Sequence, residues 1–121
     1  MGLSIKITKV IPCKDMNLLV FFENGVAKKY DTKQLFSQFP SYEKLKDEAF
    51  FKLVKVICGG CAVAWDDDID ISEVELWEGG TEVPIAIQHE NNWYVATDTK
   101  SGVASQGKTI DESLDNLNEA L

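Results

Sequence analysis

Asn24-Gly25 restricts this chain more than any other feature. The pair sits between the apolar run Leu18-Leu19-Val20-Phe21-Phe22 and a returning segment, Val26 to Tyr30. Asn-Gly readily supplies two successive residues with positive φ, which a tight hairpin needs, so the chain is committed to antiparallel β structure near its start. Residues 3–11 read as the preceding strand, with Leu3, Ile5 and Ile7 alternating against Ser4, Lys6 and Thr8. Pro12 to Asn17 reads as the turn between them.

Helical signals follow. Asp31, with Gln34 three residues on, predicts a reciprocally capped short helix whose apolar face is Leu35, Phe36 and Phe39 and which Pro40 stops. A second short helical or turn segment spans Ser41 to about Glu48. Phe50 to Ile57 reads as a strand, Gly59-Gly60 as a turn, and Cys61 to Trp65 as the returning partner. Asp66-Asp67-Asp68 is a solvated turn, Ile69-Asp70-Ile71 a short extended piece, and Ser72 with Glu75 caps one helical turn ending at Trp77.

Glu78-Gly79-Gly80-Thr81 breaks both periodicities and predicts a boundary, giving a first domain at 1–78 and a module at 79–121. In the module, Val83 to His89, Trp93 to Thr97 and Val103 to Gln106 read as strands, with Gly107 as a turn. Thr109 and Glu112 cap a helix that places Ile110, Leu114, Leu117 and Leu121 on one face, against Asp111, Asp115, Asn118 and Glu119. The expected fold is α+β: a small mixed sheet with two short helices, followed by a β-β-β-α unit.

Composition excludes several functions. The 121 residues carry 12 basic and 20 acidic side chains, for a net charge of -8, and none of the basic ones is Arg. Arg is the usual choice for forked contacts to phosphate and guanine, so direct nucleic-acid binding is not expected and a basic protein partner is. No apolar run approaches the roughly 20 residues that span a bilayer, so no membrane role is expected. The start lacks the pattern of a secretory signal, and three cysteines cannot all pair within one chain, so a cytoplasmic location is expected.

No constellation suggests catalysis. Cys58-Gly59-Gly60-Cys61 has the spacing of a C-x-x-C, but Gly-Gly makes it a hairpin tip, whereas redox cysteines use a helix N-terminus. Zinc would need two further ligands, and Cys13 and His89 lie in different modules. Asp66, Asp67, Asp68 and Asp70 lack the alternation of a calcium loop. His89 is the only histidine and has no orienting partner in sequence. No metal and no cofactor are expected. Trp93 and Tyr94 must point to opposite faces of one strand, so one should be buried and the other available to a partner.

Two resemblances follow from these residues. Lys9-Val10, Leu18 to Phe22, Asn24-Gly25, Tyr30-Asp31, Phe50-Phe51, Val54-Lys55-Val56, Val63-Ala64-Trp65 and Asp68-Ile69-Asp70-Ile71-Ser72 ahead of Leu76 resemble the bacterial family catalogued as domain of unknown function 2442. That implies a small α+β domain and almost no biochemistry; Asp66 and Asp67 replace an expected Pro or Asn and Gly. Trp93-Tyr94-Val95-Ala96 with Gln106-Gly107-Lys108-Thr109 and Glu112 resembles part of the HicB-type antitoxins. That resemblance implies a non-enzymatic module that silences a small basic toxin, HicA, by occlusion. Asp98 to Gly102 replaces the Pro-Asp-Leu-Pro-Gly segment of many members, and no DNA-binding motif follows within the sequence.

The expected partner contacts are Trp93, Tyr94, Asp98, Asp111, Asp115 and Glu119. Asn24, Gly25, Gly107, Thr109 and Glu112 are expected to shape turns and caps. The alternatives are a scaffold or homodimerisation module whose function lies in the N-terminal domain, and a metal or redox protein acting through Cys58 and Cys61.

Overall fold

The computed structural model describes residues 5–120, with side chains described through residue 117. The expectations placed on Leu3, Ser4 and Leu121, and on the side chains of Asn118 and Glu119, lie outside the described residues. The chain forms two compact units, residues 1–83 and 84–121.

In the first unit β1 (Ile7–Pro12), β2 (Asn17–Phe22) and β3 (Ala27–Asp31) form an antiparallel meander. β1 begins later than the alternation from residue 3 suggests, and its register against β2 shifts between Ile7 and Lys9. Pro12 is in the strand, and a 3-10 turn, Lys14–Met16, makes the connection. The β2–β3 turn differs from the expected pair of positive φ values. Among the turn residues Gly25 alone has positive φ, 88°, and its N–H donates to Phe22 O at 3.0 Å. Asn24 instead accepts from Val26 N–H through its side chain, at 3.1 Å. This is a turn closed by one left-handed residue, which Gly adopts without steric cost.

The segment after β3 holds shorter helices than the apolar spacing implies. Asp31 caps a 3-10 helix, Thr32–Leu35, by accepting from Lys33 N–H at 2.9 Å. Gln34 donates to Asp31 O at 2.8 Å instead of accepting from the cap N–H. Leu35 is buried but Phe39 is 50% exposed. Pro40 opens the next 3-10 helix, Pro40–Lys46, instead of merely stopping the previous one. Phe50 and Phe51 belong to α1 (Glu48–Phe51), not to the expected strand. Asp47 caps α1 by accepting from Phe50 N–H at 3.2 Å. The buried Trp65 indole donates to Phe51 O at 2.8 Å. A long-range hydrogen bond thus satisfies a carbonyl at the helix end.

β4 (Lys55–Ile57), β5 (Ala62–Ala64) and β6 (Asp70–Ser72) make a second antiparallel sheet, so the N-terminal strands divide into two sheets within the α+β class. Asp66 shapes the β5–β6 turn by accepting from the N–H groups of Asp68 and Ile69 at 2.9 and 2.8 Å. Ser72 caps α2 (Glu73–Gly79) through Glu75 N–H. The core is Leu18, Val20, Phe22, Tyr30, Leu45, Val63, Trp65, Ile69, Ile71 and Leu76, with Ile7, Leu35 and Phe51. Burying a side chain of this size contributes roughly 1.5–3 kcal/mol.

Gly79-Gly80 does not end the first unit. A Cβ on Gly79 would lie 2.8 Å from the Tyr30 ring, and one on Gly80 2.6 Å from Leu76 O. The pair lets the chain pass close to the core, after which β7 (Thr81–Val83) joins the first sheet beside β3. Val83 is therefore separated from the strand that follows it by Pro84, which cannot donate to a ladder.

Candidate functional site

All six expected contact residues fall in the second unit. β8 (Ile85–Glu90), β9 (Trp93–Asp98) and β10 (Ala104–Gly107) form an antiparallel sheet in the order β10-β9-β8, and α3 (Ile110–Ala120) packs on it. Asn91, at φ 54°, makes the β8–β9 turn. Gly107 lies at the end of β10, not in a turn.

Register assigns the faces. His89, Tyr94 and Gly107 are cross-strand neighbours, as are Ile87, Ala96 and Ser105. A Cβ on Gly107 would sit 2.6 Å from Ser113 N and 2.8 Å from Glu112 Cβ, so this face lies under α3. Ala96, Ser113 and Leu117 are buried there. The buried Ser113 hydroxyl donates to Ile110 O at 2.7 Å, a position the apolar spacing did not single out. Tyr94 is half-buried and stacks on His89, with centroids 4.4 Å apart and planes at 9°. His89 is thus an aromatic packing partner.

The opposite face carries Trp93 beside Glu90, Val95 between Gln88 and Gln106, and Thr97 between Ala86 and Ala104. Trp93 is 39% exposed, with the Lys108 ammonium 5.9 Å from its ring centroid. Strand alternation therefore separates the two aromatics as expected, with Trp93 the available one.

The expected contacts do not form a single surface. Tyr94 and Asp98 share the α3 side of the sheet, and Trp93 is on the other side. Asp98 Oδ1 accepts from Lys100 and Ser101 N–H at 2.9 and 3.2 Å, so this carboxylate shapes the β9–β10 turn. Asp111 and Asp115 are exposed on α3. Thr109 Oγ1 accepts from Glu112 N–H at 3.0 Å, and Glu112 reaches back to Lys108 N–H at 3.4 Å. That is the expected capping exchange, received one residue earlier than Thr109. Asn116 ties α3 to β10 by donating to Gln106 O at 2.9 Å.

In the first unit the Tyr30 hydroxyl donates to Glu75 Oε2 at 2.8 Å. Burial first, then the hydrogen bond and charge of Glu75, raise the Tyr30 pKa far above the ordinary phenol value. Tyr42 is raised by burial and then by the charges of Asp70 and Glu75, and its hydroxyl donates to Asp70 O at 2.6 Å. The Lys28 ammonium lies 3.9 Å from the Trp77 ring centroid. Burial would lower Lys33, but its hydrogen bonds with Asp31 and Asp15 prevail and raise it. The Tyr30–Glu75 and Tyr42–Asp70 hydrogen bonds tie strands to helices. Cys58 and Cys61, expected as a plain hairpin tip, are disulfide-bonded at that tip. Among the described residues no three His, Cys, Asp or Glu side chains are grouped to hold a metal, and no helix is long and apolar enough to cross a membrane.

The class defined by these features is a small α+β protein of antiparallel sheets and short, side-chain-capped helices. The family described as Protein of unknown function (DUF2442) matches residues 7–82, more than half of the chain, and the protein belongs to it. Residues 77–121 match a second family, described as Family of unknown function (DUF7387), and not a HicB-like one. No curated protein and no solved structure matches the chain.

Proposed function

We propose that the protein is a non-enzymatic, cytoplasmic binding module whose second unit docks a small basic protein through the open face of the β8–β9–β10 sheet. Trp93 carries the proposal. It is a large aromatic left 39% exposed on a sheet face that α3 does not cover, and aromatic anchors of this kind dominate binding energy. The exposed carboxylates Asp111 and Asp115 lie on α3, and the net charge of -8 favours a basic partner. The finer form of the proposal is an antitoxin-like module that silences a HicA-like toxin by occlusion. Its support is the resemblance of Trp93 to Ala96 and Gln106 to Thr109 to HicB-type antitoxins.

The test is co-expression with the product of any small basic open reading frame adjacent to the gene, followed by co-purification and a growth-rescue assay. A stable complex is expected, weakened by Trp93→Ala by about 2 kcal/mol or more, as for an interface anchor. A partner-indifferent homodimer in light scattering, unchanged by Trp93→Ala, would instead place function in a scaffold built on the first unit.

A further inference from the structure

The Cys58-Gly59-Gly60-Cys61 tip has a property that partner binding does not use. Cys58, Gly59 and Gly60 all have positive φ, at 43°, 67° and 110°, which curls the backbone until the two cysteine Cα atoms are 5.4 Å apart. That spacing lies within the range a disulfide spans without moving the backbone. Both cysteines are exposed, while Gly60 between them is buried.

Hydrogen bonds that do not involve sulfur hold the curl. Gly60 N–H donates to Ile57 O, Ile7 N–H donates to Gly60 O, and Glu73 N–H donates to Cys61 O, each at 2.9 Å. A Cβ on Gly60 would fall 2.6 Å from Ile7 O, so the tip is seated against the chain at the start of β1. The closed loop is one of the shortest a disulfide can make, and cross-links over short loops add the least stability. Opening the bond therefore leaves two exposed thiols in place and the fold intact.

We propose that Cys58 and Cys61 form a reversible dithiol–disulfide couple that exchanges with low-molecular-weight thiols of the glutathione class. In the oxidising direction, the thiolate of one cysteine attacks a sulfur of glutathione disulfide, forming a mixed disulfide and expelling one glutathione thiolate. The second cysteine, as thiolate, attacks the protein-side sulfur of that bond, closing the Cys58–Cys61 disulfide and expelling the other glutathione. Two protein thiols lose two electrons and two protons, one glutathione disulfide gains them, and two molecules of glutathione result. Excess glutathione reverses both steps.

The test uses the full chain carrying Cys13→Ser, equilibrated without denaturant in buffers of varied reduced-to-oxidised glutathione ratio. The samples are acid-quenched, alkylated and read by mass spectrometry. Cys58 and Cys61 are expected to be labelled together or not at all, with the transition completed over roughly a hundredfold change in the squared-thiol-to-disulfide ratio. Cys61→Ser should trap a glutathione adduct on Cys58. The double variant Cys58→Ser/Cys61→Ser should keep the near-ultraviolet dichroism and melting temperature of the parent. A pair reducible only in denaturant, thiols that stay reduced in glutathione disulfide alone, or a double variant that fails to fold would each overturn the proposal.

Discussion

At the scale of single residues, the short polar side chains decided local geometry and were the most legible part of the sequence. Asp31, Ser72 and Thr109 all cap helices, as their residue types predict, although Gln34 does not return the exchange at Asp31. Thr109→Ala should destabilise the second unit by about 1 kcal/mol, the usual cost of losing such a cap. Denaturant melts followed at Trp93 would measure it, and an unchanged midpoint would deny Thr109 that role. Glycines were harder to interpret, because a Gly needed for a turn and one needed for close packing look alike in sequence. Gly25 serves a turn, whereas Gly79 makes room for the Tyr30 ring. Tyr30 itself carries a pH prediction. Its folded pKa is raised, chiefly by burial and then by Glu75. Its contribution to stability is therefore complete below the unfolded phenol value of about 10 and is lost as pH rises above it. Tyr30→Phe should make the alkaline loss of stability shallower, as read from chemical denaturation between neutral pH and pH ~11. An identical slope in both proteins would remove Tyr30 from that account.

At the scale of elements, strands with clear alternation or a marked turn were legible, and short elements defined by distant partners were not. Phe50 and Phe51 favour a strand by intrinsic preference. They form a helical turn because Asp47 caps its start and the Trp65 indole, far along the chain, binds the Phe51 carbonyl at its end. Asp47 was visible in the sequence, but the indole contact was not. The candidate site behaves likewise. Strand alternation assigned Trp93 and Tyr94 to opposite faces, yet which face α3 would cover depends on Gly107 admitting Ser113 to 2.6 Å of its Cβ position. That packing puts α3 on the Tyr94 side of the sheet, away from Trp93. The two features should then contribute to binding separately. Reversing charge at Asp111, Asp115 and Glu119 together should slow association with a basic partner and weaken its salt dependence, with little change in dissociation. Trp93→Ala should act mainly on dissociation. Stopped-flow association at two ionic strengths separates these effects, and a charge-reversed protein with unaltered association would rule out electrostatic steering by α3.

At the scale of the whole molecule, the two units are unequal in what holds them together. The hydrophobic core, from Ile7 to Leu76, lies within residues 1–83. The second unit falls just short of the ~40 residues below which a domain rarely folds without added support, and among its described residues few are buried, Ala96, Ser113 and Leu117 being among them. The break in periodicity at Glu78-Gly79-Gly80-Thr81 pointed to two parts but put the division after residue 78, because a β7 strand of three residues reveals itself only by pairing with β3. Local stability follows buried apolar contact, so amides in β8–β10 should exchange with solvent faster than those in β1–β3. Hydrogen exchange followed by mass spectrometry would show this, and equal protection in both units would contradict it. A ligand that binds only the folded second unit stabilises it by RT ln(1 + [L]/Kd), or about 2.7 kcal/mol at a hundredfold excess over Kd. A genuine partner should therefore slow exchange in β8–β10 far more than in β1–β3. Any candidate that leaves β8–β10 exchange unchanged does not dock on that sheet, however tightly it binds elsewhere.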